Sequence, residues 1–164
     1  MRQTLLLLAT FLAAPATAQT PQDAATANMM LATEICLRHQ HQDAALPGAL
    51  QAAGFTVTPG LDQGSYDIQA PELFGVIAPG YCTFQSQRLP IATAEAIGLA
   101  VGEYLFPNGV QPGQPSSQAN APRLPCEGFT VWSTRPVITV SYAQAGNSGE
   151  CVNDGTSAII IRLN

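Results

Sequence analysis

The sequence predicts an α+β domain: an antiparallel sheet of about six strands with helices packed on one face, stapled by two disulfides. Three observations carry this. Apolar residues recur at helical spacing in 21–42 and 91–106, and with the strand period of two in runs such as "LFGVIA" and "VITVSYA". The order is helices, three strands, helix, three strands, which segregates the helices instead of alternating them with strands. Cys36, Cys82, Cys126 and Cys151 form an even set, as paired cysteines do. The order also outlines a pseudo-repeat of helix plus three strands, although the two stretches share little residue by residue.

The chain has 164 residues, and its first eighteen read as an address. Arg2 supplies a positive start, "LLLLATFLAA" (5–14) an apolar run too short to anchor in a bilayer, and "ATA" (16–18) small residues before a cleavage point. Residues 1–18 are therefore expected to be a secretory signal peptide, and 19–164 a single exported domain. That predicts a bacterial periplasm or secretion, and no membrane insertion once the leader is removed.

The first helix opens on "TPQD". Thr20 is placed to cap it, Pro21 suits its first turn, and Asp23 can answer the cap. A second, short helix over 47–53 opens at Pro47 and stops at Gly54, with Phe55 packing back. Strands follow at "FTVT" (55–58), "LFGVIA" (73–78) and "YCTFQS" (81–86), the last two joined through Pro79-Gly80. The connection 59–71 is a loop with room for a short strand at 66–68. The helix 91–106 lies between Pro90 and Pro107-Asn108-Gly109. Gly98 and Gly102 share one of its faces and predict a close approach to the sheet. The stretch 110–125, "VQPGQPSSQANAPRLP", is rich in Pro, Gly, Ser and Gln and reads as a loop. "GFTVWS", "VITVSYA" and "SAIIIRL" complete the strands.

The spacings between the cysteines include no C-x-x-C, which argues against thioredoxin-type redox chemistry and a zinc ribbon. Cys36–Cys82 and Cys126–Cys151 are the expected pairs, because alternation puts Cys82 on the strand face that meets the first helix. The segment "EICLRHQH" also offers His39 and His41 as metal ligands. On a helix Cys36 and His39 share a stripe while His41 points well away, and a disulfide consumes the sulfur a metal would need. A metal site is therefore not expected, with His39 and His41 the weak candidates for a metal-handling role.

All six basic residues are arginine, against eleven acids, for a net charge of −5. An acidic surface repels nucleic acid and anionic membranes. Without lysine there is neither a Schiff-base cofactor anchor nor a Walker-type phosphate loop. No dinucleotide fingerprint appears, "GNSGE" (146–150) lacks the spacing of a nucleophile elbow, and no cofactor is expected. The acids are scattered singly. The chain thus reads as a non-catalytic binding or interaction module whose partner is an envelope protein or a small ligand. The alternatives are a small periplasmic hydrolase and a metal-handling protein. If Phe129 and Val131 face the helices, Trp132 and Thr130 point the other way together with Thr139 and Ile160. These four form the expected partner-binding surface, an indole and a branched aliphatic beside hydrogen-bonding edges.

Overall fold

The computed structural model describes residues 19–40, 42–114, 126–146 and 148–163. The expected signal peptide 1–18, His41 and most of the loop 110–125 lie outside the described residues.

The first helix, α1 (Pro21–Arg38), begins as the sequence predicts. The Thr20 hydroxyl accepts from the Asp23 amide at 3.1 Å, and the Asp23 carboxylate accepts from the Thr20 amide at 3.3 Å. The helix stops at Arg38, short of the expected 42. Leu37 is its last buried apolar residue, and "RHQHQD" beyond it offers nothing to bury. The chain turns there instead, with the Gln42 amide donating to the His39 carbonyl at 2.8 Å. The short α2 (Leu46–Ala52) ends at Gly54, whose φ of 97° only glycine adopts without cost. The Phe55 amide donates to the Leu50 carbonyl at 3.1 Å, closing a Schellman turn that buries Phe55.

The first meander comprises β1 (Thr56–Pro59), β2 (Tyr66–Ala70), β3 (Leu73–Ala78) and β4 (Tyr81–Ser86). The helix α3 (Ile91–Leu105) follows. The second meander comprises β5 (Val110–Pro112), β6 (Phe129–Val131), β7 (Ile138–Ala143) and β8 (Ser157–Leu163). All eight strands form one sheet in the order β1-β2-β3-β4-β8-β7-β6-β5, every neighbouring pair antiparallel. The architecture is α+β as expected, with eight strands instead of six. One addition is β2, in the loop where a short strand had room. The other is β5, whose three residues lie within the stretch that composition marks as loop. Its proline disguises it: Pro112 lacks an amide to donate, and an edge strand is where a sheet tolerates that.

The two meanders meet along β4 and β8, with Phe84 opposite Ile159. Each half of the chain thus has one long helix and four antiparallel strands, the first half adding the short α2, and strands follow in the same reversed order outward from the β4–β8 seam. The repeat glimpsed in the sequence has four strands, not three. α1 and α3 pack side by side over the central strands, on the face carrying Cys82, Phe84, Ile159 and Ile161. Gly98 and Gly102 make this fit possible. A Cβ at Gly98 would lie 2.5 Å from the Tyr142 hydroxyl, and one at Gly102 would lie 2.7 Å from the Phe129 ring.

Candidate functional site

Both expected disulfides are present. Cys36–Cys82 ties the last turn of α1 to the centre of the sheet across a Cα–Cα distance of 6.7 Å. Cys126–Cys151 ties the chain before β6 to the β7–β8 connection across 5.8 Å. Cys36 therefore has no thiolate to offer a metal. His39 borders a cleft of about 10 Å³, roughly the space of a single water. Among the described residues no group of three or more His, Cys, Asp or Glu side chains could hold a metal ion. Nor is any helix among them long and apolar enough to cross a membrane.

The four residues expected to form a partner surface are spread over two environments. Thr130 and Thr139 sit opposite each other on β6 and β7, and pairing places both on the face away from the helices. Both are buried, and the Thr130 hydroxyl donates to the Gly113 carbonyl at 2.6 Å. Ile160, between Thr83 and Ser141 on the neighbouring strands, is half-buried. Trp132 lies beyond the end of β6 and is 43% exposed. Its carbonyl accepts from the Arg135 guanidinium at 2.8 Å, which fastens the turn leading to the cis Arg135–Pro136 peptide. Alternation gave the facing of the strand residues; it carries no information on what a connecting segment such as Gly113 covers.

A concavity lies on the helix side, between α3 and the outer strands of the second meander. It is a groove of about 620 Å³. One wall is the helix stripe Ala92, Glu95, Ala96, Leu99 and Glu103, at i, i+3, i+4, i+7 and i+11. The floor is Val110 and Pro112 of β5, Phe129 of β6 and Tyr142 of β7. Cys126, Glu127 and Gly128 form the rim. The rim extends β6 along β7, the Tyr142 amide donating to the Cys126 carbonyl at 2.9 Å. Gly128 allows this: its φ is 70°, and a Cβ there would meet the Val140 carbonyl oxygen at 2.1 Å.

The groove follows from the asymmetry of the halves. Over the first meander, α2 buries Leu46 and Leu50 against the helix-facing side. The 39–55 connection from α1 to β1 is long enough to contain that helix, whereas α3 reaches β5 through residues 106–109 alone. Leu99 is consequently 42% exposed at a position that a second short helix would cover.

The chemistry of the groove is restricted. Its described lining contains no His, Ser, Thr, Lys or Arg, and its single cysteine is oxidised. Glu95 and Glu103 are eight residues apart on one helix, about 12 Å along its axis, beyond the roughly 5–9.5 Å that a glycosidase carboxylate pair requires. The Tyr142 phenol is pushed well above its ordinary range by burial and, secondarily, by the Glu95 charge, so it remains a neutral hydrogen-bond donor. It donates weakly to the Glu95 carbonyl at 3.4 Å. Sequence reasoning singled out only the Gly98 and Gly102 face of the 91–106 helix, and nothing there announced that the face carrying Glu95, Ala96 and Leu99 lines a cavity.

No protein-family model matches the chain, and no curated protein or solved structure matches it either.

Proposed function

We propose that this chain is a non-catalytic binding module of an extracytoplasmic compartment, most simply a bacterial periplasm, that holds a small ligand in the groove between α3 and β5–β7. The observation that carries this reading is the open groove at the position α2 seals in the other half. Its volume lies within the range of about 300–1,000 Å³ typical of ligand sites, and its lining is mainly apolar with a few polar groups. The described lining has no histidine, serine, threonine or free cysteine, which favours binding over hydrolysis by a hydroxyl or thiol nucleophile. The expected leader at 1–18 and the two disulfides, which persist in oxidising compartments, support export.

The test is titration of the protein with the neutral fluorophore 1-N-phenylnaphthylamine, whose emission rises on entering an apolar site. Ala96→Trp places an indole in the groove from an exposed helix position. It is expected to abolish the signal while circular dichroism and thermal unfolding stay unchanged. A signal that survives Ala96→Trp, or no signal from the unaltered protein, overturns the groove as a ligand site. Export predicts a product beginning at Gln19 by intact-mass analysis; an exported product retaining 1–18 contradicts the leader.

A second reading places an envelope protein on the outer sheet face, supported by the exposure of Trp132. Trp132→Ala is expected to weaken capture of such a partner and leave the fold intact. Loss of the fold would instead assign the indole a structural role.

A further inference from the structure

We infer that the groove selects for ligands with an apolar body and a cationic head, an organic ammonium or guanidinium group, over neutral or anionic ligands of the same shape. This rests on the reading of the groove as a ligand site and specifies what that site takes.

Charge complementarity carries the inference. The described lining includes Glu95 and Glu103, together with Glu127, whose carboxylate accepts from the Gln114 amide at 3.4 Å, and no basic residue. The described arginines are engaged elsewhere. Arg38 pairs with Glu34 at 2.7 Å and lies over the Tyr104 ring. Arg88 pairs with Glu72 at 3.2 Å. Arg135 donates to the Trp132 and Thr134 carbonyls, and Arg162 lies over the Tyr81 ring on the opposite sheet face. The Glu95 and Glu103 carboxylates have neither a hydrogen bond nor an ion pair among the described residues, and Glu95 is already half-buried in the wall. A ligand that fills the groove removes water from these carboxylates. A cationic head compensates for that loss, a neutral head does not, and an anionic head adds repulsion.

The floor supplies the apolar part of the site. Phe129 and Tyr142, both almost wholly buried, lie beneath the carboxylate wall. Between them, Leu99, Val110 and Pro112 offer apolar contact for the ligand's body. The net charge of −5 adds a field of the same sign that draws cations toward the surface.

Decylammonium, decanol and decanoate share a chain length and differ only in the head, so competition against the neutral fluorophore separates charge from shape. The full, disulfide-bonded protein is expected to bind decylammonium about tenfold or more tightly than decanol, with decanoate weakest. Glu95→Gln and Glu103→Gln should each reduce the ratio of decylammonium to decanol affinity severalfold. Added salt should erode the preference in the same way, because the carboxylates are within reach of solvent. Ala96→Trp should abolish binding of all three probes, which distinguishes the groove from a diffuse acidic surface. Decanol binding without an ammonium preference, or a preference that both Gln variants leave intact, overturns the charge selectivity alone. Failure of every probe overturns the groove as well.

Discussion

Over β1–β3 the helix side of the sheet is covered by Leu46 and Leu50 of α2, both buried; over β5–β7 the same side opens beside Leu99, which is 42% exposed. The frame of the two halves is otherwise alike, one long helix and four antiparallel strands meeting at a shared seam. Each half is also stapled, yet differently. Cys36–Cys82 lies in the core between α1 and β4, whereas Cys126–Cys151 links a groove-rim residue to an exposed connection. The comparison teaches that the cavity comes from leaving out one short element, with no rearrangement of the core beneath it.

The sharpest way to break the comparison is to remove the staples. Replacing Cys36 and Cys82 together by serine should cost about 4 kcal/mol in the chain-entropy model, since the disulfide closes a long loop and both positions are buried. The Cys126–Cys151 pair closes a shorter loop and should cost slightly less, about 3.5 kcal/mol. Urea unfolding of both double variants checks the order, and a larger loss from the second pair would contradict it. Leu50→Ala comes next, at about 2–5 kcal/mol, because it empties a fully buried site beneath α2.

Leu99→Ala, in the open half, is its control. It should change stability by no more than about 0.5 kcal/mol and still weaken fluorophore binding. Equal destabilisation by Leu50→Ala and Leu99→Ala would show that the second half is covered after all. The smallest effect is alkaline. The unfolded chain releases the Tyr142 proton near its ordinary pKa of about 10, whereas burial first and the Glu95 charge second hold it on the folded chain. The stabilisation is complete below pH 10 and is lost as pH rises beyond it. A spectrophotometric titration should show one tyrosine ionising only on unfolding, and Tyr142→Phe should remove that step.

Much of the frame was legible in the sequence because it rests on local chemistry. The Thr20–Asp23 capping box, the Gly54–Phe55 ending of α2 and the facing of Cys82 follow from patterns a few residues long. The cysteine pairing followed from that facing. β5 was not legible, since three residues ending in Pro112 resemble a loop until a partner strand is supplied. The groove was illegible for a related reason. Glu95, Ala96 and Leu99 form an ordinary mixed helix face, and only the packing of α3 against β5–β7 makes that face a wall. The expected surface at Trp132, Thr130, Thr139 and Ile160 shows the opposite limit. Strand alternation gives the direction in which a threonine points, but the burial of Thr130 depends on the carbonyl of Gly113, which lies on another strand's extension.

The position of β8 has a consequence for timing. It follows every other strand in sequence yet occupies the middle of the sheet, with β4 on one side and β7 on the other. Until it is synthesised, the two meanders have no shared edge and the surfaces beneath α1 and α3 cannot close into one core. Pairing Tyr81–Ser86 with Ser157–Leu163 requires contact across a long stretch of intervening chain, the kind of contact that slows folding. The sheet therefore stays in two separate halves until Ser157–Leu163 joins β4 to β7.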